Sequence, residues 1–194
     1  MGNQAHRPPE GRLILIKHGM PAIVPGEPPS RWALAEEGRV KAARLAEKLA
    51  GLGPSAIVSS TEPKAIATAE VMAKAFGLTP ERDACLGEQR NDEGPFTDPQ
   101  TFQAMVANMF AEPGTLVMGE ETANEAHGRF AAALERQLPV RSQGRLAVVS
   151  HGRIITLWIS RRFGLDPMTF WLGLGLASAV VLAEDGASFE LVAP

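Results

Sequence analysis

Three short apolar runs limit what this chain can become: LILIK at 13–17, SAIVSS at 55–60 and LAVVS at 146–150. LILIK and LAVVS are continuous rather than alternating, as expected of strands buried on both faces, and such strands belong to parallel sheets covered by helices. The segments between them carry helical spacing. LAEEGRVKAARLAEKLAGLG sets Val40, Ala43, Leu45, Leu49 and Leu52 on an apolar stripe before a glycine-rich stop. TEPKAIATAEVMAKAFG has Pro63 at an early helical position, with Ile66, Ala69, Val71, Ala73 and Phe76 on its apolar side. PQTFQAMVANMF spaces Phe102, Met105, Val106, Met109 and Phe110 as an amphipathic helix. Further helices are predicted over about 120–138 and in GRIITLWISRRFG. A brief extended stretch is expected in RDACLGE, and SAVVLAE with FELVA reads as a closing pair of strands. This order predicts a three-layer α/β sandwich with a mostly parallel central sheet. One domain is expected over 12–194, after a flexible N-terminal tail at 1–11.

Composition removes several functions. The chain has 194 residues and a formal net charge of −3, with its basic residues scattered. That balance offers no electrostatic attraction to nucleic acid or an anionic membrane. The longest apolar run, 170–183, is too short and glycine-broken to span a bilayer, and MGNQAHRPPEGR lacks a signal peptide's apolar stretch. A cytoplasmic location is the default expectation. One cysteine, Cys85, rules out an internal disulfide and a cysteine-rich metal cage, and reads as a small buried or half-buried apolar residue. Oligomeric state has no signature in the chain.

The polar residues at the strand ends suggest a site. In an open α/β sheet, ligands bind outside the carboxyl ends of the strands. His18 and His151 both fall there, and each is followed by glycine, which permits a tight turn or a close approach. The helix beginning after His151 would turn its first amides to the same place and favour an anion. Lys17 immediately precedes His18, and Lys64 lies in the first turn of a helix, where a cation opposes the helix dipole. Glu88, in CLGEQR, is the candidate acid; Asp92 and Glu93 are weaker ones. Taken singly, each residue has a plainer reading: a structural histidine, a solvated lysine, a surface carboxylate. Arg31 and Arg90 are read as solvated, and the stripe containing Phe102 as a core-facing helix face. GxSxG, GxxxxGK[ST] and HExxH motifs are absent, and GLGLAS at 173–178 runs into a strand, unlike a dinucleotide fingerprint.

Together these motifs resemble those of the histidine phosphatase superfamily, the phosphoglycerate mutase-like enzymes. The family's strand ending in Arg-His-Gly is matched by LILIKHG with lysine for arginine, and its Ser-Ser turn, arginine and Ala-x-x-Thr-Ala-Glu by SSTEPKAIATAE, again with lysine. LGE matches its Leu-x-Glu, and VVSHG its Ser/Thr-His-Gly. The resemblance implies a phosphomonoesterase acting on a small phosphorylated substrate through a phosphohistidine on His18. Glu88 would be the general acid and His151 a hydrogen-bonding partner of the phosphoryl oxygens, with Lys17 and Lys64 in the phosphate-binding arginine places. No metal or organic cofactor is implied. Lysine keeps the charge but loses arginine's planar fork. A non-catalytic binder of a phosphorylated ligand therefore stands as the alternative, with mutase chemistry and a three-ligand zinc set of His18, His151 and Glu88 behind it. Residues 91–121 are expected to form the wall or lid of the pocket.

Overall fold

The first strand, β1 (Leu13–Lys17), shows why an unbroken apolar run is needed. In the computed structural model, which describes residues 12–138 and 144–194, Leu13 and Leu15 enter one core while Ile14 and Ile16 enter another. Successive side chains of a strand point to opposite faces, so a strand covered on both sides must be apolar throughout. The tail expected at 1–11 lies outside the described residues.

β1 is followed by a loop containing a 3-10 turn at Pro29–Arg31, then α1 (Glu36–Ala50), β2 (Pro54–Ser59), α2 (Pro63–Phe76) and β3 (Glu81–Arg82). Next come α3 (Pro99–Ala111), α4 (Ala123–Gln137), β4 (Arg145–Ser150), α5 (Gly152–Phe163), α6 (Pro167–Gly173), β5 (Ala179–Leu182) and β6 (Phe189–Val192). The sheet order is β3-β2-β4-β1-β5-β6. The first four strands run parallel, and β5 and β6 form an antiparallel closing hairpin. This is the three-layer sandwich expected from the sequence. One core holds residues of α1 and α2; the other holds residues of α3, α4, α5 and α6. Among the described residues, no helix is long and apolar enough to cross a membrane.

Three details depart from expectation. On α1, Val40 and Ala43 are exposed, and the buried face is Gly38, Ala42, Leu45, Ala46 and Leu49. Small alanines supply that face because it packs closely against α2. The extended stretch expected in RDACLGE is strand only at its start; a 3-10 turn at Ala84–Leu86 then lifts the chain out of the sheet. Asp83 caps that turn by accepting the Cys85 N–H at 2.8 Å. The short helix α6 was not anticipated; Asp166 caps it and Pro167 occupies its first turn.

Candidate active site

β1 and β4 pair in parallel with Lys17 opposite Ser150, so the next residue on each strand arrives at the same level. Those residues are His18 and His151, whose rings meet with centroids 5.1 Å apart. Both are buried. The main chain clamps the His18 turn: its N–H donates to the Ser150 carbonyl at 3.0 Å and its carbonyl accepts from Ala177 at 3.1 Å. Gly19 is needed for close approach, not for a left-handed turn. A side chain there would lie 2.6 Å from the Gly38 carbonyl oxygen, and one on Gly38 would lie 2.5 Å from that of Met20. The two glycines thus let the His18 loop lie directly on α1.

His18 Nδ1 lies 2.6 Å from the Gly19 carbonyl. A carbonyl only accepts, so Nδ1 carries the proton and Nε2 keeps a free lone pair. Burial holds the His18 pKa well below its ordinary value, and His151, Lys64 and Lys17 push the same way against the Gly19 carbonyl. Burial also lowers His151, to about 3, with Lys64 contributing. Both rings are therefore neutral at pH 7.

The two lysines are fixed differently. Lys17 Nζ donates to the Leu174 carbonyl at 2.7 Å, and burial lowers its pKa against the attraction of Glu88. Gly152 leaves the space it needs, since a side chain there would lie 3.0 Å from Lys17 Cε. Lys64 is buried; its ammonium donates to the Pro29 carbonyl at 2.6 Å and to Glu62 Oε2 at 2.5 Å.

Glu88 follows the 3-10 turn rather than ending a strand, and its carboxylate faces the start of α5. It accepts from Arg153 N at 3.0 Å, Ile154 N at 2.9 Å and Gln89 N at 3.0 Å. The helix N-terminus expected to favour an external anion is thus engaged by the protein's own carboxylate.

All five candidates, Lys17, His18, Lys64, Glu88 and His151, line one cavity of about 210 Å³. Trp32, Phe102 and Trp171 give it aromatic walls, and Asn91, Asp92 and Phe102 enter it from the segment expected to do so. Phe102 is thus half-buried beside the cavity rather than wholly in the core. Arg90 is exposed but also borders the cavity; Arg31 does not.

Sequence reading missed three members. Ser60 Oγ shares a 2.6 Å hydrogen bond with His151 Nε2. Glu62 Oε1 lies 3.2 Å from that nitrogen and accepts the Glu88 N–H at 2.9 Å. Arg153, also buried, donates to the Gln89 carbonyl at 2.9 Å and stacks over Phe102 with its guanidinium 5.4 Å from the ring centre. Charged residues next to motif positions were the available signal: Glu62 two residues before Lys64, Arg153 two after His151. Among the described residues, no group of three His, Cys, Asp or Glu is arranged to hold a metal ion, so His18, His151 and Glu88 do not make the zinc set.

A mostly parallel sheet presenting two histidines at adjacent strand ends defines the phosphoglycerate mutase-like class of α/β folds. The family model described as histidine phosphatase superfamily (branch 1) matches residues 13–194, and the chain belongs to that superfamily. Its fold is similar to a mycobacterial glucosyl-3-phosphoglycerate phosphatase complexed with VO3 (TM-score 0.73, 20% identity, 92% of this chain and 96% of that one). Bacillus stearothermophilus YhfR is similar to the same degree (TM-score 0.73, 20% identity, 93% and 95%). A putative alpha-ribazole-5'-P phosphatase from Escherichia coli matches with TM-score 0.70, 19% identity and 94% and 96% coverage. No curated protein matches the chain significantly.

Proposed function

We propose that the chain is a metal-independent phosphomonoesterase working through a phosphohistidine on His18. The observation that carries this reading is the buried, neutral His18, with its Nδ1 proton committed to the Gly19 carbonyl and its Nε2 lone pair free. Nε2 attacks phosphorus; a P–N bond forms as the ester P–O bond breaks. Glu88 in its protonated form, having taken up a proton as the substrate binds, gives that proton to the departing oxygen. It then takes one from the water that splits the phosphohistidine, releasing phosphate and restoring His18 and the protonated Glu88. Lys17 and Lys64 neutralise charge on the phosphoryl oxygens, and His151 hydrogen-bonds to them. A small phosphorylated metabolite suits a cavity of about 210 Å³ and is the kind of compound named for the structural relatives.

Mass spectrometry of protein quenched during turnover of an aryl phosphate is expected to find phosphate on His18, and His18→Ala to abolish turnover. Phosphate release from unmodified protein, or equal rates in the variant, overturns the mechanism. One observation favours a second reading, a non-catalytic phospho-ligand binder: Lys64 is already paired with Glu62. Lysine also orients phosphate less strictly than arginine, and a misplacement of about 1 Å costs on the order of 10²-fold in rate. Saturable phosphate-ester binding without turnover selects that reading.

A further inference from the structure

Glu62 occupies two of the groups that the phosphatase reading gives to a phosphoryl group, Lys64 and His151. Its Oε2 accepts from the Lys64 ammonium at 2.5 Å. Its Oε1 accepts the Glu88 N–H at 2.9 Å and lies 3.2 Å from His151 Nε2. A carboxylate and a phosphate ester present the same feature to such groups, anionic oxygens at hydrogen-bonding range. We infer that Glu62 is an internal competitor for the anion site, whose carboxylate must leave Lys64 and His151 before a phosphoryl group can take them. The inference rests on the phosphatase reading above and adds a residue that opposes phosphate binding.

The backbone supports this. Glu62 is the N-cap residue of α2, yet its side chain makes no capping bond. An N-cap side chain ordinarily turns back onto the helix's free N–H groups; this one faces the cavity instead. Lys64 has a second anchor in the Pro29 carbonyl, so it stays placed when Glu62 departs. A competitor tethered in the site weakens every phosphoanion by a common factor, and that includes inorganic phosphate, the product of hydrolysis. Glu62 thus also speeds clearance of the site after each turnover.

The test measures binding of inorganic phosphate and orthovanadate by calorimetry, in the wild type, Glu62→Gln and Glu62→Ser. Gln keeps the shape without the charge. Ser removes the carboxylate while supplying a strong N-cap, which guards against a variant that fails to fold. Both variants are expected to bind either anion about tenfold more tightly, or better. Unchanged or weaker binding, with the wild type binding normally, makes Glu62 a brace for Lys64 and overturns the inference. No binding by the wild type or either variant overturns the phosphatase reading itself, and the inference with it.

Discussion

The rings of His18 and His151 meet edge-on, with centroids 5.1 Å apart and planes inclined at 61°, although the two residues are far apart in the chain. Parallel pairing of β1 with β4 brings them together, and burial beneath the surrounding loops keeps both neutral. Two charged imidazoles at this separation would repel each other in a poorly solvated site.

Acid should therefore unfold the protein through these rings. The folded-state pKa of His151 is about 3 against an ordinary 6.5, so the unfolded chain binds its proton more readily. The stability contributed by this group is complete above about pH 6.5 and is lost as pH falls toward 3. His18 acts in the same direction. Urea midpoints measured across that window should fall with pH, and more steeply for the wild type than for His151→Asn. Equal slopes would contradict the burial of a neutral ring.

On the proposed mechanism Glu88 has two separable roles, one structural and one in proton transfer. Its carboxylate receives three N–H groups around the start of α5, so Glu88→Ala should cost about 1–2 kcal/mol of stability. Glu88→Gln keeps the acceptor oxygen for Gln89 and Ile154 and should cost less, yet it cannot pass a proton. Both variants are expected to lose about 10²- to 10⁴-fold in kcat. Retained turnover in Glu88→Gln removes the residue from acid catalysis.

Lys64 and Glu62 should be coupled energetically. Their side chains are 6% and 12% exposed, so removing one partner strands a charge in a poorly hydrated place. Lys64→Met is expected to destabilise the fold by about 3 kcal/mol, and Lys64→Met with Glu62→Gln to recover much of that loss. Additive effects in denaturant titrations would show that the pair contributes nothing of its own.

The Gly19–Gly38 contact is backbone against backbone, with no flexible side chain to yield. A methyl group on Gly38 would lie 2.5 Å from the Met20 carbonyl oxygen. Gly38→Ala should cost about 2 kcal/mol or more despite alanine's better helix propensity. Gly51→Ala, at a position with open space around it, serves as the control and should leave the melting temperature nearly unchanged.

Legibility followed the range of the forces involved. Both-face burial of β1 and β4 could be read directly, since an apolar run without alternation has few other uses. The stripe on α1 was half misread: Val40 is apolar but turned to solvent, while Gly38 and Ala46 face the interior. Close helix–helix contact selects small residues, and small residues give a faint periodic signal. Glu88 was singled out correctly as a residue near the sheet edge, but its route there was not, because three consecutive residues in a 3-10 turn leave no period to detect.

The sequence by itself determined the alternation of strands and helices, the apolar faces that build two cores, and the delivery of His18 and His151 to strand ends followed by glycine. These are local matters of periodicity and backbone sterics, carried by neighbouring residues. Only the tertiary structure decided what the charges do. Strand order placed β1 between β4 and β5, and helix packing pressed α2 against the Pro29 turn. As a result Lys64 meets the Pro29 carbonyl, Glu88 meets the start of α5, and Lys17 meets the Leu174 carbonyl. Charge pairing depends on distance through space and on the water excluded between partners, and a linear chain records neither.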